Sequence, residues 1–171
     1  MGGGIILALD LATRTGFAIG PVLPAPRLVG KGEAKPQSGA KSFEGSVGKS
    51  LAGLSRFVYD LIEEHKPTLI VFEAPLDPRH LKGKTKKIAG RRLIAMAGLI
   101  EMIAFQKQIP VREVPPHKIK KHWTGNGSAS KGDMLNVCAL HGWNVTDDNE
   151  ADALALLDYT AGMLRLEEKV K

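Results

Sequence analysis

Cysteine is nearly missing from this chain of 171 residues: Cys138 stands alone. One thiol cannot form an internal disulfide, which excludes a disulfide-stapled scaffold and agrees with a reducing cytosol. No apolar run approaches the ~20 residues that span a bilayer, which excludes a membrane-spanning helix. The opening Met1-Gly2-Gly3-Gly4 lacks the basic start and long apolar stretch of a secretory signal, so a cytoplasmic location is expected. No His/Cys spacing suits structural zinc. The glycine stretch Gly125-Asn126-Gly127-Ser128 lacks the Gly-Lys-Ser/Thr ending of a nucleotide phosphate loop. Internal repeats and a linker between domains are also lacking.

What is present is an ordinary globular composition, 43% hydrophobic and 25% charged, with 24 Lys+Arg against 18 Asp+Glu for a net charge of +6. The length suits one domain burying ~70% of its unfolded surface. The excess of positive charge makes a polyanion a plausible partner.

Ile5 to Asp10 is an apolar run ending in a carboxylate, and a polar turn, Thr13-Arg14-Thr15-Gly16, separates it from Phe17-Ala18-Ile19. This reads as a hairpin with Gly16 supplying freedom at the turn. A third strand is expected over Arg27 to Glu33 and a loop over Lys35 to Ser42. From Phe43, apolar residues recur every three or four positions to Ile62, the pattern of one helix face, and Lys66-Pro67 ends it. Leu69 to Phe72 is an unbroken apolar run, as in a strand covered on both faces, and Glu73 follows it. Further helices are expected at Ile88 to Gln106, Lys118 to Trp123, Lys131 to Leu140 and Asp148 to about Glu168, with a strand at Val111 to Val114. Three strands and then strand–helix alternation imply an α/β fold, a mixed sheet with helices on both faces.

Asp10 and Glu73 thus end two strands that would lie parallel and adjacent, and ligand sites in such sheets collect outside those ends. The third acidic group is Asp147-Asp148-Asn149-Glu150-Ala151-Asp152. Asp147 with Glu150 forms a capping box, but capping does not account for Asp152, one turn further in where the helix becomes buried. Asp148 and Asn149 bracket Asp152 on its face. Asp10, Glu73 and Asp152 together would form an all-oxygen cluster suited to Mg²⁺ or Mn²⁺, and two such ions support in-line phosphodiester hydrolysis.

Four motifs then share the order of one family: Ile6 to Asp10 with Thr15-Gly16-Phe17-Ala18, Ile70 to Glu73, Gly127 to Lys131, and Glu150 to Ala155. Over Ile5 to about Tyr159 the sequence resembles the RuvC-type Holliday-junction resolvases of the RNase H-like superfamily, closest to phage-borne members. The resemblance implies an RNase H-like five-stranded sheet, three antiparallel strands then parallel ones, as a single domain over residues 1–171. It also implies a homodimer that binds four-way DNA junctions and makes paired nicks with divalent metal in a bacterial or phage-infected cell. Asp10, Glu73 and Asp152 take the places of three of the family's four metal-binding acids. Lys131 falls at the active-site lysine and Lys120 at a second basic residue contacting DNA. Leu11-Ala12 replaces a frequent Pro-Gly. The fourth acid's position holds Asn149, so either Asp148 or Asn149 supplies the fourth ligand.

The loop after Glu73 is longer and more basic than the bacterial pattern: Arg79, Lys82, Lys84, Lys86 and Lys87 stand in it without an intervening acid. Together with Arg14, Lys118, Lys120, Lys121 and Lys131 they are the candidate DNA contacts. The helix Ile88 to Gln106 is apolar on more than one face and suits a dimer interface. Three other readings stay open: a nuclease for RNA–DNA hybrids or flaps, a branched-DNA-binding module without catalysis, and an actin-like phosphotransferase. For the last, the chain is short and lacks a phosphate loop.

Overall fold

A computed structural model describes residues 4–22, 34–75 and 83–169, without the side chains of residues 84–86. Five strands, β1 (Ile5–Asp10), β2 (Arg14–Pro21), β3 (Gln37–Ser42), β4 (Leu69–Glu73) and β5 (Val111–Val114), form one sheet in the order β3-β2-β1-β4-β5. The β3/β2 and β2/β1 pairs are antiparallel, and the β1/β4 and β4/β5 pairs are parallel. Helices α1 (Val47–His65) and α2 (Lys84–Lys107) cover one face. Helices α3 (Pro116–Thr124), α4 (Lys131–Leu140) and α5 (Asp148–Lys169) cover the other.

Strand alternation decides what each layer receives. Leu7, Leu9, Ile70 and Phe72 pack with α1 and α2, whereas Ile6, Ala8, Leu69 and Val71 pack with α5 and its neighbours. The same parity on β2 gives α5 Gly16, Ala18 and Gly20. Small residues here let a helix lie close: a Cβ on Gly16 would stand 1.9 Å from the Asn149 carbonyl oxygen, and one on Gly20 3.0 Å from Leu157 Cδ2.

Gly16 therefore has a different role from the expected one. It lies within β2 opposite Asp10 and has no left-handed φ. The turn is closed instead by the buried Thr15, whose hydroxyl donates to the Ala12 carbonyl at 2.8 Å. The third strand also differs. Residues 27–33, where it was expected, lie outside the described residues, and β3 occupies Gln37–Ser42 in the stretch read as a loop. It is an edge strand, half-buried at most, so its residues Gln-Ser-Gly-Ala-Lys-Ser carry no apolar pattern. Helix α1 starts at Val47, capped by Ser46 Oγ accepting from the Lys49 amide at 3.3 Å, and Phe43 is buried ahead of it. Helix α2 begins four residues before the expected Ile88. No helix among the described residues is long and apolar enough to cross a membrane.

Gly16→Ala is expected to push the start of α5 off β2 and cost about 1–3 kcal/mol, as overpacked sites do. A thermal melt equal to wild type would contradict this close approach.

Candidate active site

Parity carries the two strand-end acids to the layer of α5. Asp10 continues Ile6 and Ala8, Glu73 continues Leu69 and Val71, and the parallel register Leu9↔Phe72 makes the two acids neighbours. A small pocket of about 120 Å³ opens there, lined by Asp10, Leu11, Glu73, Ala74, Pro75 and Leu93. Helix α5, seated on Gly16, brings Asp148 and Asp152 within electrostatic reach of Asp10.

The start of α5 is held by side chains from the β2–β3 edge. Asp147 Oδ1 accepts from the amides of Asn149 at 3.0 Å and Glu150 at 3.3 Å, and Asp147 Oδ2 accepts from Arg14 Nε. Glu150 does not complete the expected capping box. Its Oε1 accepts from Ser38 Oγ at 2.8 Å and from Lys35 Nζ. Asn149 directs its side-chain amide to Asp147 Oδ1 at 3.4 Å, whereas Asp148 pairs with Lys131 Nζ from the first residue of α4. The Ser130–Asp133 capping box secures that end of α4.

The acids are held where ionisation is costly. Burial, then Glu73, Asp152 and Asp148, raise the Asp10 carboxyl well above its usual range. Burial and Asp152 push Glu73 up to about 7, against the opposing Lys120. Burial pushes Asp152 up to about 6, with Lys120 and Lys131 opposing and Asp148 reinforcing. Lys120 thus stands near two of the acids, its Nζ donating to the Ala129 carbonyl at 3.1 Å. An all-carboxylate set this deficient in positive charge fits hard divalent cations. Among the described residues, no three His, Cys, Asp or Glu side chains are already drawn into metal-ligand geometry.

The remaining candidate contacts scatter. Lys118 and Lys121 are exposed on α3, and Lys87 on α2. Arg14 is half-exposed, but its guanidinium is engaged by Asp147 and Ser42. Arg79 and Lys82 lie outside the described residues, and Lys84 and Lys86 are placed in the first turn of α2 only by their backbone. Trp123 is a core residue, its Nε1 donating to the Met134 carbonyl at 3.2 Å. Sequence reasoning missed Arg92 as a clamp, bonded to Thr13 Oγ1 and the Gly45 carbonyl, and the anchoring pair Lys35–Glu150. The parity of β1 and β4 was the available signal for the shared face.

A mixed sheet of this order, with acids at the ends of β1 and β4 and those of the last helix within electrostatic reach, has the RNase H-like fold. The structure of Thermus thermophilus RuvC in complex with Holliday junction substrate superposes with a TM-score of 0.69 at 16% identity, covering 97% of this chain and 96% of that one. The crossover junction endodeoxyribonuclease RuvC of Brachyspira hyodysenteriae is 30% identical over 120 residues, 67% of this chain and 71% of that protein. That of Pseudothermotoga lettingae is 32% identical over 101 residues, 57% and 58% of the two chains. No family model matches. The chain belongs to the RuvC family of crossover junction endodeoxyribonucleases.

Raised carboxyl pKa values mean that the folded state binds protons more tightly than the unfolded one. Their contribution is complete below about pH 4 and is lost as pH rises through about 6 and 7, the folded values of Asp152 and Glu73. Without divalent cations the melting temperature is therefore expected to fall from pH 5 to pH 8. Glu73→Gln should raise stability at pH 8 by about 1–3 kcal/mol. Added Mg²⁺ should stabilise wild type more at pH 8 than at pH 5.5. A variant less stable than wild type at pH 8 in chelator would contradict the repulsive cluster.

Proposed function

We propose that this chain, as a single nuclease domain over residues 1–171, is a divalent-cation-dependent endodeoxyribonuclease. It resolves Holliday junctions by paired nicks, using Mg²⁺ or Mn²⁺ with two ions per site. The observation that carries this reading is the convergence of Asp10, Glu73, Asp148 and Asp152 on one face of the sheet beside two lysines. The relatives named as crossover junction endodeoxyribonucleases, and the solved RuvC with its junction substrate, support the choice of substrate.

Asp10, Glu73, Asp148 and Asp152 would hold the ions. Asp148 suits the fourth place better than Asn149, whose side chain is occupied with Asp147. Bound divalent cations supply the positive charge that stabilises in-line displacement at phosphorus. Lys131, exposed and held at the site by Asp148, can turn its ammonium to a phosphate oxygen of the cut strand. Lys120 limits the repulsion between Glu73 and Asp152 from the other side. Lys87, Lys118 and Lys121 offer exposed charge to the flanking backbone, and Arg79, Lys82, Lys84 and Lys86 extend that reading into the basic segment.

Paired nicks need two sites, and α2 offers the surface for a second copy. Its inner face packs Met96, Ile100 and Ile103 on the core, while Ile94, Met102 and Phe105 form an outer stripe, Phe105 being 85% exposed. Gly98 lies in the same stripe with open space around it, so two such helices can approach closely.

Wild type is expected to nick a synthetic four-way junction only with Mg²⁺ or Mn²⁺. Asp10→Asn, Glu73→Gln, Asp148→Asn and Asp152→Asn should bind it but cut about 10²-fold more slowly or worse, the scale for losing one stabilising charge. Asn149→Ala should stay close to wild type. Full cutting by the acid variants overturns the site, and faster cutting of RNA–DNA hybrids or flaps than of junctions overturns the substrate. In analytical ultracentrifugation wild type should sediment as a dimer and Met102→Glu/Phe105→Glu as a monomer. Equal masses would place the interface elsewhere.

A further inference from the structure

We propose a second DNA-contacting site on the opposite layer from α5: the cleft between the end of β3 and the first turns of α1, which holds the phosphate backbone of a junction arm outside the cutting pocket. This rests on the nuclease reading for its ligand, and on separate residues for its chemistry.

The cleft encloses about 670 Å³, far more than the catalytic pocket. Its floor is Phe43, Ala52 and Gly53, and Lys49 and Arg56 border it, with Glu44 as the one acid among its described lining residues. The floor is kept open by small residues, since a Cβ on Gly53 would stand 3.0 Å from the Phe43 ring. Lys49 lays its stem over Gly45, whose φ of +104° turns the chain into α1. Lys41 lies just outside this lining, its Nζ 4.9 Å from the centre of the Phe57 ring, which itself packs on Phe43.

Some surface cations are neutralised within the fold and others, Lys87, Lys118 and Lys121 among them, have no ion pair among the described residues. Arg14, Lys35, Lys66, Lys107, Arg112 and Lys131 each pair with a carboxylate. Lys41, Lys49 and Arg56 have no ion-pair partner among the described residues. Unpaired cations around an apolar floor match a nucleic acid strand, with phosphates on the rim and deoxyribose or a base face below.

The cleft also continues the catalytic edge. The Phe43 amide donates to the Thr13 carbonyl at 2.7 Å, in the turn just after Asp10. A trough of about 360 Å³ lined in part by Ala12, Thr13, Arg92 and Leu93 shares Leu93 with the catalytic pocket, and its Thr13 is the residue that accepts from Phe43 of the cleft. Arg92 spans it to the Gly45 carbonyl at 2.9 Å. The Arg92 Nε–H is buried without an acceptor among the described residues, a donor left over along the path. A strand leaving the cutting pocket along this trough reaches Lys49 and Arg56.

Salt titrations of binding test the site, in an Asp10→Asn background so that DNA stays uncut, on a four-way junction, a duplex and a single strand. Lys49→Ala/Arg56→Ala should weaken junction binding roughly tenfold at 0.1 M salt and flatten the slope of log K against log salt by about 2, one per phosphate contact. Lys49→Arg/Arg56→Lys should keep the wild-type slope, and Glu44→Gln should bind more tightly. Wild-type affinity and slope in the alanine variant on every DNA overturns the cleft, even where the parent protein binds and cuts junctions. Slope loss on duplex or single strand, with no junction bound in this background and none nicked by the parent protein, supports the cleft and overturns the resolvase reading. No binding to any DNA overturns both.

Discussion

Four carboxylates held close together repel, and the rest of the structure is arranged to keep them there. Two are fixed by the sheet itself, because Asp10 and Glu73 end adjacent parallel strands and share one parity. The other two depend on how closely α5 lies against β2. That approach exists only because Gly16, opposite Asp10, has no side chain to meet the Asn149 carbonyl. The helix start is then tied down by Asp147 to Arg14 and by Glu150 to Lys35 and Ser38, charges that the acids of the pocket do not share. The repulsion stays concentrated on the groups that would bind cations.

The cationic side chains divide according to this arrangement. Lys131 and Lys120 lie against the acids and reduce their mutual cost. Arg14 and Lys35 are anchors, spent on the frame. Arg92 joins α2 to the β1–β2 turn and to the approach of α1. The cations left without an ion pair among the described residues include Lys49 and Arg56 at the cleft beside α1 as well as Lys87, Lys118 and Lys121. The net charge of +6 therefore says little until each residue's partner is known.

The fold was legible where burial imposes a pattern. β1 and β4 are buried runs bounded by turns, and α4 falls on the expected residues Lys131 to Leu140. β3 was not legible, because an edge strand half-open to water needs hydrogen-bonding partners more than apolar side chains. Gly16 was visible as a glycine beside a turn, and its true neighbour, Asn149, is 133 residues away in the chain. The pull of Glu150 toward Lys35, away from its own helix cap, was hidden for the same reason.

From the chain alone come the types of the site's groups: oxygen ligands without thiol or imidazole, acids at strand ends, an acid one turn inside a helix, and lysines near each. Local chemistry determines these, since strand parity, helix period and ligand hardness are properties of short segments. The different partners of Asp148 and Asn149 were left to the tertiary fold. Asp148 and Asn149 are adjacent and 100° apart on a helix. Only the seating of α5 on Gly16, and the partners waiting at Lys131 and Asp147, pair one with a lysine and commit the other to the cap.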